Sequence, residues 1–150
     1  MIAKANKKNF GFTLIEVLLS VALLAVLAGF SLPVYRALQV RNDLDIATNT
    51  VVQSLYRAQV LSQAVSSDAS WGVYVGVGEI VIFQGDSYVT RDDIWDEVFD
   101  LPTDITPSGL AAVVFDRFTG DTQTTGSVIL NSNTNETKTI TINNKGMVDY

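Results

Sequence analysis

The sequence predicts an α+β fold: one long N-terminal helix, transmembrane and then amphipathic, packed on an antiparallel β-sheet domain. Three observations carry this. Phe12 to Leu32 is an apolar run of twenty-one residues with a single charge, Glu16. From there to Val65 apolar residues recur at steps of three or four, the period of a helix with one buried face. Beyond Ser66 the period shortens to two, and Gly, Asn, Asp and Pro clusters divide the chain into short strands.

At ~1.5 Å rise per residue the apolar run is roughly 32 Å long, enough to span a bilayer. Lys4, Lys7 and Lys8 precede it, and no acid comes before Gly11. The positive-inside rule keeps this cationic segment in the cytoplasm and places the C-terminal domain outside. The span covers residues 12–33. Its small residues Ser20, Ala22, Ala25, Ala28 and Gly29 permit close helix approach. Pro33 removes a backbone donor at its far end, which makes either a helix kink or a helix boundary at the membrane surface.

Residues 34–65 form the amphipathic part. Leu44, Ala47, Val51, Leu55, Ala58, Leu61 and Val65 make one stripe, and Arg41, Asp45, Thr48, Gln59 and Gln63 the other face. A single helix from Phe12 to Val65 would be roughly 80 Å long, so its second half stands outside the membrane and offers its stripe to a sheet. Residues 66–150 form the extracytoplasmic β-rich domain. Ser66-Ser67-Asp68 is a turn. Trp71–Val77 and Glu79–Gln84 read as a hairpin closed at Gly76 to Gly78, and Ser87–Thr90 as a short strand after the Gly85-Asp86 turn. Glu97–Leu101, Ala111–Phe118 and Ser127–Leu130 read as strands, with loops at Pro102–Gly109, Gly120–Gly126 and Asn131–Glu136. Lys138–Ile142 and Gly146–Asp149 flank Asn143-Asn144-Lys145-Gly146, a turn with residues suited to positive φ.

The N-terminal residues carry a resemblance. Lysines, then Gly11-Phe12-Thr13-Leu14-Ile15-Glu16, then an apolar helix, resembles the type IV prepilin signature of type IV pilins, type II secretion pseudopilins and competence pseudopilins. The resemblance implies a leader of residues 1–11, cleavage by a prepilin peptidase between Gly11 and Phe12, N-methylation of Phe12, and a role for Glu16 in assembly. It also implies a pilin-like fold whose helix partly unwinds near Pro33. The implied partners are other pilin or pseudopilin subunits, the peptidase, an inner-membrane assembly platform and membrane lipid. A plain secretory signal or anchor fits less well. No A-x-A-like site follows the run, and an acid in hydrocarbon costs on the order of 2.5–3.5 kcal/mol. In the C-terminal half, Trp71–Val75, Val113–Phe115, Gly126–Leu130 and Ile140–Val148 are similar to the H-type minor pseudopilins. Many pilins close a C-terminal loop with a disulfide; this chain has no cysteine and departs from that pattern.

Chemistry is excluded more than suggested. The chain has no His and no Cys, which removes Ser–His, Cys–His and His-metal arrangements, and no phosphate-binding loop opens a helix. A non-enzyme without catalytic residues, metal or cofactor is expected. The segment Arg91–Asp100 (RDDIWDEVFD) has oxygen ligands at a density that suits Ca²⁺, but its spacing matches no EF-hand and no glycine makes the turn. Two other readings stay open for it: a solvated loop with Ile94, Trp95, Val98 and Phe99 packing inward, and a contact surface for a neighbouring subunit or secreted protein. Nucleic acid is disfavoured. The formal charge is −6, and without the three leader lysines residues 12–150 hold 7 basic against 16 acidic side chains, a net of −9.

The reading is therefore a single-pass protein of the cytoplasmic (inner) membrane with an extracytoplasmic or periplasmic domain. Its expected role is that of a minor pseudopilin, a structural subunit of a type II secretion pseudopilus. The alternatives are a type IV pilus minor pilin with an adhesive or binding role, and a generic anchored binding domain. Glu16 argues against the extreme tip position, which in the family typically lacks this acid. Processing tests the motif directly. N-terminal sequencing of membrane-extracted protein should start at Phe12, and Gly11→Val should leave uncut precursor in the membrane; a mature start at any other residue would remove the prepilin assignment.

Overall fold

The computed structural model describes residues 11–150, without the side chains at 30–34, 36 and 37. Helix α1 covers Leu14–Gln63. Residues 1–10 of the leader and the side chain of Pro33 lie outside the described residues, and α1 runs continuously through position 33. The chain divides into two compact units, Met1–Arg36 and Ala37–Tyr150.

In the second unit, α1 packs on two antiparallel four-stranded sheets. The strands are β1 (Trp71–Gly76), β2 (Glu79–Gln84), β3 (Asp92–Asp100), β4 (Ile105–Gly109), β5 (Ala112–Phe115), β6 (Gly126–Ser132), β7 (Thr137–Ile142) and β8 (Val148–Asp149). Sheet 1 has the order β3-β2-β1-β5 and sheet 2 the order β4-β6-β7-β8. The expected α+β, pilin-like layout of helix on antiparallel sheet is therefore what the chain adopts.

The helix stripe explains the packing. Leu44, Ala47, Val51, Val52, Leu55 and Ala58 are buried against Trp71, Val73, Val75, Ile80, Ile82, Val113 and Phe115 of sheet 1 and Ile105, Val128, Leu130, Ile140 and Ile142 of sheet 2. One core thus joins all three layers. Thr48, expected on the polar face, is buried: it lies four residues after Leu44, on the same stripe, and its hydroxyl donates to the Leu44 carbonyl at 2.8 Å. The apolar run of β2 is buried on both faces. Ile80 and Ile82 face the main core, while Val81 and Phe83 join Val114, Tyr74 and Tyr88 in a second cluster. Phe83 lies over Gly72, where a Cβ would meet its ring at 2.5 Å.

Several elements differ from expectation, each for a local reason. The helix stops at Gln63 instead of Val65, whose φ of 54° is left-handed. Ser87–Thr90 is not a strand; Tyr88–Thr90 is a 3₁₀ turn whose Ser87 Oγ accepts from Val89 N–H at 3.3 Å. Residues within the expected loop Pro102–Gly109 form β4, where Pro107 is tolerated because β4 is an edge strand. β3 starts at Asp92, five residues ahead of the expected Glu97. β5 ends at Phe115, because Asp116 N–H turns to the Asp121 carbonyl and Phe118 adopts a φ of 71°. The Asn143–Gly146 turn forms as expected, with Gly146 at φ 70° and its N–H on the Asn143 carbonyl at 3.0 Å.

The last turn of α1 is tied to the sheets by polar side chains. Ser62, fully buried, accepts from Trp71 N–H at 2.8 Å and donates to the Phe115 carbonyl at 3.0 Å. Gln59 Nε2 donates to the carbonyls of Gly120 (3.0 Å) and Lys145 (3.2 Å), and Gln63 Nε2 to that of Thr119 (3.2 Å). Ser62→Ala leaves the Trp71 N–H without its acceptor in a dry site. It should lower the unfolding free energy by roughly 2–3 kcal/mol, read from the denaturant midpoint, with the chain still folded.

Candidate functional site

The candidate site is the start of the mature chain. Residues 11–13 have no regular structure, Gly11 is exposed, and a Cβ at Gly11 would meet nothing within 4 Å. Among the described residues nothing crowds the bond after Gly11. Helix α1 begins at Leu14, so Thr13 is its N-cap and Glu16 the third helical residue. Thr13 Oγ1 accepts from Glu16 N–H at 3.3 Å, and Glu16 Oε2 accepts from Thr13 N–H at 3.5 Å. This reciprocal pair is a capping box, Thr-x-x-Glu, which the sequence displays and which the reading of Glu16 as an assembly residue overlooked. Ser20 Oγ donates to the Glu16 carbonyl at 2.7 Å.

The cap does not account for Glu16 by itself. A capping side chain contributes about 0.5–2 kcal/mol, and the helix dipole adds about 0.3–1 at an exposed terminus. Placing an acid in a lipid-facing helix costs on the order of 2.5–3.5 kcal/mol. Among the described residues no cation meets its carboxylate.

The apolar side chains around and after Glu16 cover every face of the helix. Ile15, Val17, Leu18, Leu19, Val21, Leu23, Leu24, Val26 and Leu27 are all exposed. A helix that is apolar all round needs an apolar cover, from lipid or from other helices. Among the described residues no helix is long and apolar enough to cross a membrane. The described stretch from Leu14 to Gly29 is sixteen residues, short of the ~20 a bilayer requires. The rest of the expected span, at 30–33, falls on side chains outside the description.

The other sequence-derived candidate, Arg91–Asp100, is not a loop. Its acids lie along β3, and no group of three or more acidic side chains among the described residues could hold a metal. Arg91 Nε grips Asp96 at 2.8 and 3.1 Å while its guanidinium stacks on Tyr88, 3.8 Å from the ring centre. The Asp96 hydrogen bond raises the Arg91 pKa. Burial, then the Glu79 charge, raises that of Tyr88, whose hydroxyl lies 3.3 Å from Glu79. Ile94, Trp95, Val98 and Phe99 do not pack inward: they are 82%, 48%, 58% and 38% exposed. The inward-packing reading fails at β3, an edge strand of sheet 1.

Cations are spoken for in the second unit. Arg41, Arg57, Arg91, Arg117, Lys138 and Lys145 each pair with a carboxylate: Glu136, Glu97, Asp96, Asp68, Asp45 and Asp121. Such exposed pairs add little stability, but they leave no basic patch of the kind nucleic acid requires.

A capped acid at the head of an all-round apolar helix precedes the helix-on-sheet unit in the sequence. A family model described as the prokaryotic N-terminal methylation motif matches residues 6–32. The chain therefore carries a type IV pilin-like signal, which marks a prepilin-peptidase substrate anchored at a membrane. No curated protein and no solved structure matches the chain.

The cap can be tested apart from assembly. Thr13→Ala in detergent micelles should speed amide exchange at Leu14–Val17 by about fivefold, the loss of a cap of ~1 kcal/mol, while the second unit keeps its protection.

Proposed function

We propose that this protein is a non-enzymatic structural subunit, a minor pseudopilin of a type II secretion pseudopilus. In this reading the precursor sits in the cytoplasmic (inner) membrane with a single span and a periplasmic second unit. A prepilin peptidase removes residues 1–11 and Phe12 is methylated. The observation that carries the reading is Glu16, an acid kept at the head of an all-apolar helix inside a methylation motif. Its capping bonds and the helix dipole offset part of the membrane cost, and a positive partner would offset the rest.

The missing cation is supplied by processing. Cleavage creates a positive α-amino group at Phe12, one turn from Glu16. Within one chain the capping geometry turns the carboxylate toward Thr13 N–H. The Phe12 amine of a neighbour, shifted along the filament axis, is free to meet it. Pairing then selects for a cut and correctly staggered neighbour, delivered to an inner-membrane assembly platform. A type IV pilus minor pilin is the second reading; the exposed Ile94, Trp95, Val98 and Phe99 favour a binding role for it. Loss of exoprotein release on deletion supports the first reading, and loss of pilus function the second.

Glu16→Ala should give a cleaved, membrane-inserted and stable protein that joins filaments poorly. Glu16→Gln should be nearly as defective, since it keeps the size and loses the charge. Co-purification with filament partners is the measurement, and normal incorporation of the Glu16→Ala protein would sink the charge-pairing account.

A further inference from the structure

β3 is an exposed edge whose second half keeps a regular register. It is nine residues long, ends sheet 1 and pairs only with β2. An exposed sheet edge presents unpaired backbone donors and acceptors, and proteins usually blunt it with short strands, prolines or bulges. Here β3 carries a bulge between Asp92 and Glu97, whose partners Gln84 and Ile82 lie only two residues apart. From Glu97↔Ile82 to Asp100↔Glu79 the ladder is regular. Along this edge Ile94, Trp95, Val98 and Phe99 are exposed, four large apolar side chains within six residues. Trp and Phe are residue types enriched in the buried centres of protein interfaces.

Charge narrows the occupant. β3 carries Asp92, Asp93, Asp96, Glu97 and Asp100. Asp96 and Glu97 are held by Arg91 and Arg57. Asp92, Asp93 and Asp100 are exposed and have no ion pair among the described residues. A second copy is a poor occupant: two β3 edges side by side would set carboxylates against carboxylates, and like charges opposite each other destabilise a strand pair. An anionic lipid surface is repelled for the same reason. What fits is an extended segment whose apolar side chains alternate with lysine or arginine.

We propose that β3 is a docking edge for an extended cationic segment of a different protein, which adds to sheet 1 as a further strand. Main-chain hydrogen bonds hold the added strand, and its basic side chains meet Asp92, Asp93 and Asp100. The apolar side chains of β3 pack against its other residues. Charge sets the choice of partner and speeds the encounter more than it tightens the complex. This surface is separate from the Phe12–Glu16 segment and does not depend on filament assembly.

The test uses the full chain in zwitterionic micelles and a capped peptide of alternating lysine and valine as probe. Amide exchange of β3 is followed with and without it. The peptide should protect β3 amides, its affinity should fall as salt rises, and a version with proline at its centre should not protect. The exposed Asp93→Lys/Asp100→Lys double variant should bind the cationic peptide about tenfold more weakly and gain binding to a glutamate–valine peptide. No protection by the lysine–valine peptide overturns the proposal, as does equal protection by the proline version. Undiminished cationic binding by the double variant also overturns it. Concentration-dependent self-association that protects β3 without peptide would assign the edge to a second copy instead.

Discussion

Ser62 is the point on which the second unit turns. Its hydroxyl is shared between Trp71 N–H on β1 and the Phe115 carbonyl on β5, so one side chain fixes the end of α1 against two neighbouring strands of sheet 1. Its own carbonyl accepts from Phe118 N–H at 3.2 Å, just where β5 breaks into its turn. Gln59, three residues before it, and Gln63, the next residue, hold the carbonyls of Gly120, Lys145 and Thr119. The loop after β5 also holds the turn before β8, since Thr122 Oγ1 donates to the Asn143 carbonyl at 2.8 Å. A chain without cysteine thereby links helix, sheet 1 and sheet 2 through a connected polar network. Each of these bonds is modest alone, and a buried group left without its partner is what makes breaking the network costly.

Most of this architecture could be read from residue order. The helical stripe from Leu44 to Ala58 is the core face of α1, and β2 has the expected bounds because four successive β-branched and aromatic residues, Ile80 to Phe83, lie between two turns. Misreadings arose where local composition and tertiary context disagree. Pro107 made β4 look like a loop, yet an edge position spares it the missing N–H. Tyr88 looked like a strand residue, yet it folds back to stack on Tyr74 with ring centres 3.8 Å apart, closing the second cluster over Phe83. Ser62 carried no signal at all: a serine one step off the stripe says nothing about which strands will meet it.

The candidate site was legible in a different way. Gly11, Phe12 and Glu16 stand out because the surrounding residues are so uniformly apolar. Thr13 did not stand out, although a Thr-x-x-Glu pair ahead of an apolar run is a recognisable helix start. The cap gives Glu16 an occupation before any neighbour arrives. It keeps the acid at the positive end of the helix dipole, where its charge is least unfavourable.

Charge links the two halves of the molecule's behaviour. From Ala37 onward six basic residues face fifteen acids, a net of −9, and all six cations are already paired. At physiological salt the repulsion between two such units is screened over about 8 Å, so it acts fully only when they touch. A filament of this chain alone would bring these acidic surfaces together along its length. A filament in which this chain is a minor component, beside neighbours of opposite charge, avoids that. In the proposed reading the apolar helix supplies non-specific adhesion, Glu16 selects a processed neighbour, and the acidic surface favours a neighbour of opposite charge.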